Sequence, residues 1–383
     1  MKNIWTLEIP GAPDPHNGFE NGRPALNFVV GGKSGALLEE IKRIMLSATE
    51  ILCISSFLLH SKDIVDAVYQ AAKNAVRVYI ITAIDENLNI FADDDDFSLA
   101  KKEDVIKMSR ELERISLIRT AAHIHSKFII ADPKIPVKAK AIFLTPNLSQ
   151  EAFENAEIGY IIHDYSLIND LFHHFCNGFW IECERELVNG KYVPKQNFLL
   201  PEKNIDSILV TSKKKTSLRD ALVTIISTAE SDIFIATYGI SDDNAVFSAL
   251  MDALNQGKKV TILVRLRSKV MDAVIKLAAK GAVILANDNL HAKFVICTVQ
   301  GKKVAILMTA NIEAMGIEYG YETGIRLEND DAYALESIAS KWISIFPWKF
   351  HEKIVLTKIQ QKVKYFDEKS KQLKDYEPPV QKK

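Results

Sequence analysis

The sequence predicts an α/β fold built twice within one chain. Three observations predict it: amphipathic helical stretches alternate with single apolar runs rich in β-branched residues, the same succession recurs in both halves, and the composition is that of a folded chain of two-domain length. The chain has 383 residues, of which 48% are hydrophobic and 25% charged. That is the ordinary balance of globular domains and argues against disorder.

The elements can be taken in order. LLEEIKRIMLSATEILCISSF (37–57) has apolar residues at helical spacing and then a short β-rich run, and LRDALVTIISTAESDIFIATY (218–238) does the same. IVDAVYQAAKNAVRVYIITA (64–83) and VFSALMDALNQGKKVTILVR (246–265) align without a gap. Each reads as a helix, a turn at Asn74 or Gly257, and a buried strand. HIHSKFIIAD followed by KAIFLTPN then parallels LHAKFVICT followed by VAILMTAN, two adjacent strands that form a hairpin in each half. LINDLFHHFCNGFW and ALESIASKWISIF close the halves as amphipathic helices. Helices alternating with apolar strands imply a sheet covered on both faces, an α/β sandwich in each lobe. Gly190, Pro194 and Pro201 break the pattern between the halves, which puts the lobes at 1–204 and 205–350. Residues 351–383 are lysine-rich and end in EPPVQKK, which reads as a final helix and a frayed tail.

The chemistry is concentrated in two matching clusters. His125, Lys127 and Asp132 form HxKxxxxD, with Thr145, Asn147 and Glu157 downstream; His291 and Lys293 are followed by Thr309, Asn311 and Glu322 at nearly the same spacing. Residues two apart on a strand face one side, so each His–Lys pair can address one reacting group. Lysine ammonium groups and asparagine amides suit the negative charge that gathers on the nonbridging oxygens of a phosphodiester under attack. One imidazole can attack while the other, protonated, donates to the leaving oxygen, and a glutamate on the far ring nitrogen holds each in the right tautomer.

These residues closely resemble the phospholipase D superfamily, whose HKD motif is HxKxxxxD followed by a small-residue turn with asparagine and then an acid. The resemblance covers roughly residues 36–346. It implies a pseudo-dimer of two lobes around one site, with His125 as nucleophile and His291 as general acid. Glu322 is then expected to support His125, and Glu157 to support His291. Lys127, Lys293, Asn147 and Asn311 hold the phosphate, with Thr145 and Thr309 supplying the small hydroxyl beside it. A phosphohistidine intermediate is implied, with no metal and no cofactor. One position departs from the pattern: Thr298 stands where the family has an aspartate like Asp132, which predicts an altered supporting contact in the second lobe.

Other features carry less. Lys and Arg number 48 against 49 Asp and Glu, so a polyanion must be held by a local patch. Lys213, Lys214, Lys215 and the lysine-rich tail are candidates for one, as are Arg119, Lys134 and Arg265, although a solubilising role suits the lysines at least as well. His123 shares the face of His125 and reads as a wall of the site. His173, His174, Cys176 and Cys183 are read as packing rather than as zinc ligands, and Asp93–Asp96 as a solvated loop. Cys53, Cys176, Cys183 and Cys297 make no CxxC pair, which favours reduced thiols and a cytoplasmic location. No stretch has the length of a signal peptide core or a membrane span. The expected function is a nuclease-like phosphodiesterase acting on nucleic acid, with no oligomer required. The competing readings are a lipid-acting phospholipase or phosphatidyl transferase, and a non-catalytic phosphate-binding module.

Overall fold

The structure, a computed structural model, describes residues 2–9, 14–83, 99–120, 123–196, 205–354 and 362–376, with the backbone alone at 99–103. Asp93–Asp96 lie outside the described residues.

In the first half Ile51–Ser55 is the middle strand. Arg77–Ile81 and then Ser116–Thr120 run parallel on one side of it. Phe128–Ala131, Lys140–Leu144, Ile158–Ile162 and Phe28–Val30 follow antiparallel on the other. The second half repeats this around Ile233–Thr237: Val260–Arg265 and Val283–Asn287 are parallel, and Phe294–Val299, Lys302–Met308, Glu322–Glu328 and Ile208–Thr211 antiparallel. The internal repeat is therefore a repeat of strand order and direction.

Parallel neighbours need a crossover, and amphipathic helices supply it. Lys62–Lys73 links Ile51–Ser55 to Arg77–Ile81, burying Ile64, Val65, Val68 and Ala71; Ala245–Asn255 does the same in the second half with Val246, Leu250 and Ala253. Both helices end in the same closure. Val76 N–H donates to Ala71 O and Ala75 N–H to Ala72 O; Lys258 N–H donates to Ala253 O and Gly257 N–H to Leu254 O. This closure demands a left-handed residue just past the cap. It is Gly257 (φ 78°) in one half and Ala75 (φ 64°) in the other, so the turn expected at Asn74 falls one residue later.

Helices Ala36–Leu46 and Lys62–Lys73 bury their apolar faces on the outer side of the first sheet, and Ser217–Thr228, Ala245–Asn255 and Met271–Ala279 on the outer side of the second. Between the two sheets lies a third apolar cluster drawn from both halves. It holds Phe128, Leu171 and Phe175 together with Phe294, Leu335 and Trp342, on helices Tyr165–Asn177 and Asn329–Ile345. The lobes thus share a core rather than merely touching.

The two ends of the chain depart from the sequence reading. Lys2–Leu7, counted with the first lobe, joins the second sheet between Trp348–Lys353 and Val363–Asp367, and Gln372–Asp375 completes the edge. The described parts of the segment expected as a final helix thus form strands and the turn between two of them, with no helix among them. Burial of Trp348, Phe350 and Phe366 in one cluster with Trp5 decides this. The ladder partner lies more than three hundred residues upstream, beyond any local pattern.

Candidate active site

Two short backbone bridges between the lobes set the site. His125 N–H donates to Tyr321 O (2.9 Å), and Tyr321 N–H to His123 O (3.0 Å). Across the pseudo-twofold axis, His291 N–H donates to Ala156 O (3.1 Å), and Ala156 N–H to Asn289 O (2.9 Å). Each histidine is thus tied to the residue just before the other lobe's glutamate. The motif histidines and lysines sit in extended chain immediately ahead of Phe128–Ala131 and Phe294–Val299 rather than inside those strands.

The result is a crossed pair of contacts. His125 Nδ1–H donates to Glu322 Oε1 (2.8 Å) and Oε2 (3.0 Å), while His291 Nδ1 meets Glu157 Oε1. With Nδ1 turned to the carboxylate, Nε2 is the opposite nitrogen of each ring, and at His291 it lies 3.3 Å from Lys293 Nζ. All four side chains are buried. Thr145 Oγ1 donates to Glu157 (2.5 Å) and accepts from Ile158 N–H (2.8 Å). Thr309 Oγ1 donates to Glu322 (2.5 Å) and accepts from Thr323 N–H (3.0 Å). The two threonines, grouped with the phosphate ligands in the sequence reading, instead lie behind the glutamates and orient them.

The two pairs differ electrostatically. Burial holds His125 below its ordinary range, and the Glu322 charge offsets this only in part. Burial by itself would raise Glu322, but His125, Lys127 and the Thr309 hydroxyl outweigh it and hold the carboxyl below its ordinary value. That pair is a neutral imidazole on an ionised carboxylate. Burial pushes Glu157 up to about 7 despite Lys293, Thr145, Lys127 and Arg265.

Lys127 and Lys293 are among the largest fully buried side chains. Lys127 Nζ donates to His125 O (2.8 Å) and Lys293 Nζ to His291 O (2.5 Å), anchoring each ammonium to its own motif. Among the described residues, Asn147 and Asn311 each have a buried side-chain oxygen with no hydrogen-bond partner. That oxygen is an acceptor, so a phosphate oxygen would be met by the amide Nδ2–H groups instead. The sequence reading missed the ring walls: Phe57 lies edge-on to His125 (5.6 Å between centroids) and Tyr238 edge-on to His291 (4.9 Å). The signal was present, because these two residues end the first pair of aligned passages.

Asp132 is remote from the chemistry. Its carboxylate accepts from the backbone N–H groups of Thr49 (2.8 Å), Glu50 (2.7 Å) and Ile51 (3.0 Å) and from the Thr49 hydroxyl (2.8 Å), fastening the loop that enters Ile51–Ser55. In the second lobe the Thr298 backbone carbonyl accepts from Glu230 N–H (2.9 Å), and the Glu230 carboxylate accepts from Gly301 N–H (3.1 Å). The missing aspartate is replaced by main chain and by an acid across the loop.

The remaining candidates separate clearly. Arg265 comes near the site, its guanidinium 5.2 Å from the Tyr238 ring with Arg267 at 4.2 Å. Arg119 is buried, pairs with Glu186 (2.8 Å) and covers the Phe179 ring, and Lys134 lies over Phe172; neither arrangement lines a groove at the site. Lys213 faces Glu184 at 3.9 Å on the surface. His123 has left-handed backbone (φ 61°), which breaks the alternation expected to place it beside His125. His174 is buried against Tyr321, while His173 packs by Phe172 and the four cysteines are free thiols. Among the described residues no group of three or more His, Cys, Asp or Glu side chains is arranged to hold a metal ion. No helix among them is long and apolar enough to cross a membrane.

A family model described as "Cardiolipin synthase, PLD-like domain" matches residues 41–180 and again 222–348. The chain belongs to the phospholipase D superfamily. As a member, it is similar in fold to phosphatidylserine synthase from Haemophilus influenzae, with a TM-score of 0.55, 11% identity, and 92% of this chain and 90% of that one covered. It is similar also to polyphosphate kinase from Porphyromonas gingivalis, with a TM-score of 0.55, 11% identity and 79% of this chain covered. It spans 45% of that kinase's length. A phospholipase D family member, Nuc from Salmonella typhimurium, aligns over 38% of this chain and 99% of its own with 19% identity and a TM-score of 0.32. No curated protein matches the chain.

Proposed function

We propose that this superfamily member cleaves phosphodiester bonds through a covalent intermediate on His125, and that its substrate is nucleic acid. The crossed contacts, which set two imidazoles in one buried site with each on the other lobe's glutamate, carry the reading. Neutral His125 offers its Nε2 lone pair to phosphorus, and ionised Glu322 receives the Nδ1 proton charge that develops as the Nε2–P bond forms. The P–O bond to the leaving group breaks as His291 delivers its proton to that oxygen. Water then gives a proton back to His291 and attacks phosphorus, the N–P bond breaks, and a phosphomonoester leaves. Lys127, Lys293, Asn147 and Asn311 steady the charge on the nonbridging oxygens throughout.

Arg265 and Arg267 beside Tyr238 support a nucleic-acid substrate, because they put positive charge on the side of the general acid, where a polynucleotide leaving group carries further phosphates. The match to a cardiolipin synthase, PLD-like domain favours a second reading, phosphatidyl transfer, in which an alcohol replaces water.

The test is turnover in EDTA of bis(p-nitrophenyl) phosphate, single- and double-stranded DNA, RNA and phosphatidylcholine vesicles, for wild type and His125→Asn. The expected result is cleavage of nucleic acid, with a loss of about 10³-fold or more in the variant. Cleavage of the lipid alone selects the second reading. Activity abolished by EDTA and restored by zinc or magnesium overturns the metal-free mechanism. Retention of nucleic acid without cutting leaves a binding module.

A further inference from the structure

The two halves of the site are not equivalent behind the glutamates. On the His125 side a buried polar chain crosses the lobe junction: His174 Nε2 and Thr323 Oγ1 are 2.9 Å apart, and Thr323 Oγ1 and Ser126 Oγ 2.5 Å. Ser126 Oγ donates to Tyr321 O at 3.4 Å. That last carbonyl also accepts from His125 N–H. Since Ser126 ends the chain as donor, the order runs His174 Nε2–H to Thr323, Thr323 O–H to Ser126, and Ser126 O–H to Tyr321. His174 also stacks on the Tyr321 ring, at 5.6 Å and 8° between planes. On the His291 side the aligned residues are apolar, Ala292 for Ser126 and Ile158 for Thr323, so neither side chain can join such a chain there.

Polar groups withdrawn from water are costly unless every member finds a partner, and a complete chain then fixes one geometry. Ser126 and Thr323 flank the nucleophile and its carboxylate in sequence, so the chain ties the His125–Ser126 segment of one lobe to the Tyr321–Thr323 segment of the other. We propose that His174, Thr323 and Ser126 form a positioning device that holds Glu322 on the ring of His125, and that this device serves the nucleophilic half alone. The proposal rests on His125 being the nucleophile. His174 acts through its neighbours and does not reach the reacting atoms. Burial, with the charge of Lys215, pushes its pKa down to about 3, so it stays the neutral donor the chain requires.

The experiment replaces one hydroxyl without changing volume. Thr323→Val is expected to lower kcat on bis(p-nitrophenyl) phosphate about 10- to 100-fold with KM within about twofold, the size that small misplacement of a reacting group produces, and Thr323→Ser to regain most of it. His174→Gln keeps an N–H near the Nε2 position and stays near wild type, whereas His174→Leu falls with Thr323→Val. A second readout needs no turnover. The titration of His125, followed by NMR, moves to lower pH in Thr323→Val as Glu322 loosens between Lys127 and Lys293, and returns in Thr323→Ser.

Wild-type kcat and an unshifted His125 titration in folded Thr323→Val overturn the proposal, as does a lowered melting temperature as the only effect. If one variant fails to fold, Ser126→Ala carries the same expectation on the next link. If wild type cuts no diester, the functional reading fails by itself, and the His125 titration still decides the device.

Discussion

Burial acts in opposite directions on the two residues that matter most for pH dependence. It lowers His125 from 6.5 and raises Glu157 to about 7. On the proposed mechanism His125 attacks unprotonated, so activity is expected to be lost as pH falls through its depressed value. The acid must hold its proton, so activity is lost as pH rises through the Glu157–His291 pair. A bell-shaped profile of kcat/KM is expected, with its basic limb set by the Glu157–His291 pair. Glu157→Gln cannot share that proton; it is expected to cost about 10²-fold or more at the optimum and to displace the basic limb, while the acidic limb stays. A profile of wild type against this variant checks both. Asp132 makes a different residue-scale case, because its carboxylate serves stability. Its backbone contacts hold it below the ordinary carboxylate value, so its contribution is present above the unfolded pKa and lost as pH falls through the folded one. Asp132→Asn is expected to cost about 2 kcal/mol in urea unfolding, the size of a charge-assisted hydrogen bond, with turnover per folded molecule kept.

At the scale of elements, the paired crossover helices make one lobe a control for the other. Both end in a closure that needs a left-handed residue, and only the second supplies glycine, at Gly257. Ala75 adopts the same conformation against its preference, at a cost of about 1 kcal/mol. Ala75→Gly is expected to raise stability by about 0.5–1 kcal/mol, seen as a higher urea midpoint with an unchanged slope. A lower midpoint would mean that the loss of chain entropy in the unfolded state outweighs the relieved strain. The loops opposite Asp132 and Thr298 teach a related lesson. Glu230 N–H already has the Thr298 carbonyl as acceptor, so restoring the motif by Thr298→Asp is expected to raise neither stability nor activity.

For the whole molecule, the apolar cluster shared by the lobes and the crossed His–Glu contacts make the halves interdependent. The described lobes are expected to unfold in one transition, tested by agreement between fluorescence and circular dichroism in urea. Trp5 ties the first residues into the second sheet: it is fully buried, its indole N–H meets the Met271 sulfur at 3.3 Å, and its ring lies edge-on to Phe350. Trp5→Ala is expected to cost about 3–5 kcal/mol although it is far from the site in sequence.

Much of this was legible in the chain. Helical spacing, β-branched runs and the internal repeat determined two α/β lobes, because hydrophobic periodicity is a local property. The doubled histidine, lysine, asparagine and glutamate pattern singled out candidate residues, including the two histidines and two glutamates that the structure pairs, because each lies at nearly the same distance along both halves. The parallel bridges at Tyr321 and Ala156 that physically cross the His–Glu contacts came only with the tertiary structure, as did the retreat of Thr145 and Thr309 behind the glutamates. The ring walls Phe57 and Tyr238, the chain through His174, and the strands at both ends of the protein came the same way. Each of these joins residues far apart in sequence, and their partners are chosen by which surfaces the two sheets bury against each other, which no window along the chain contains.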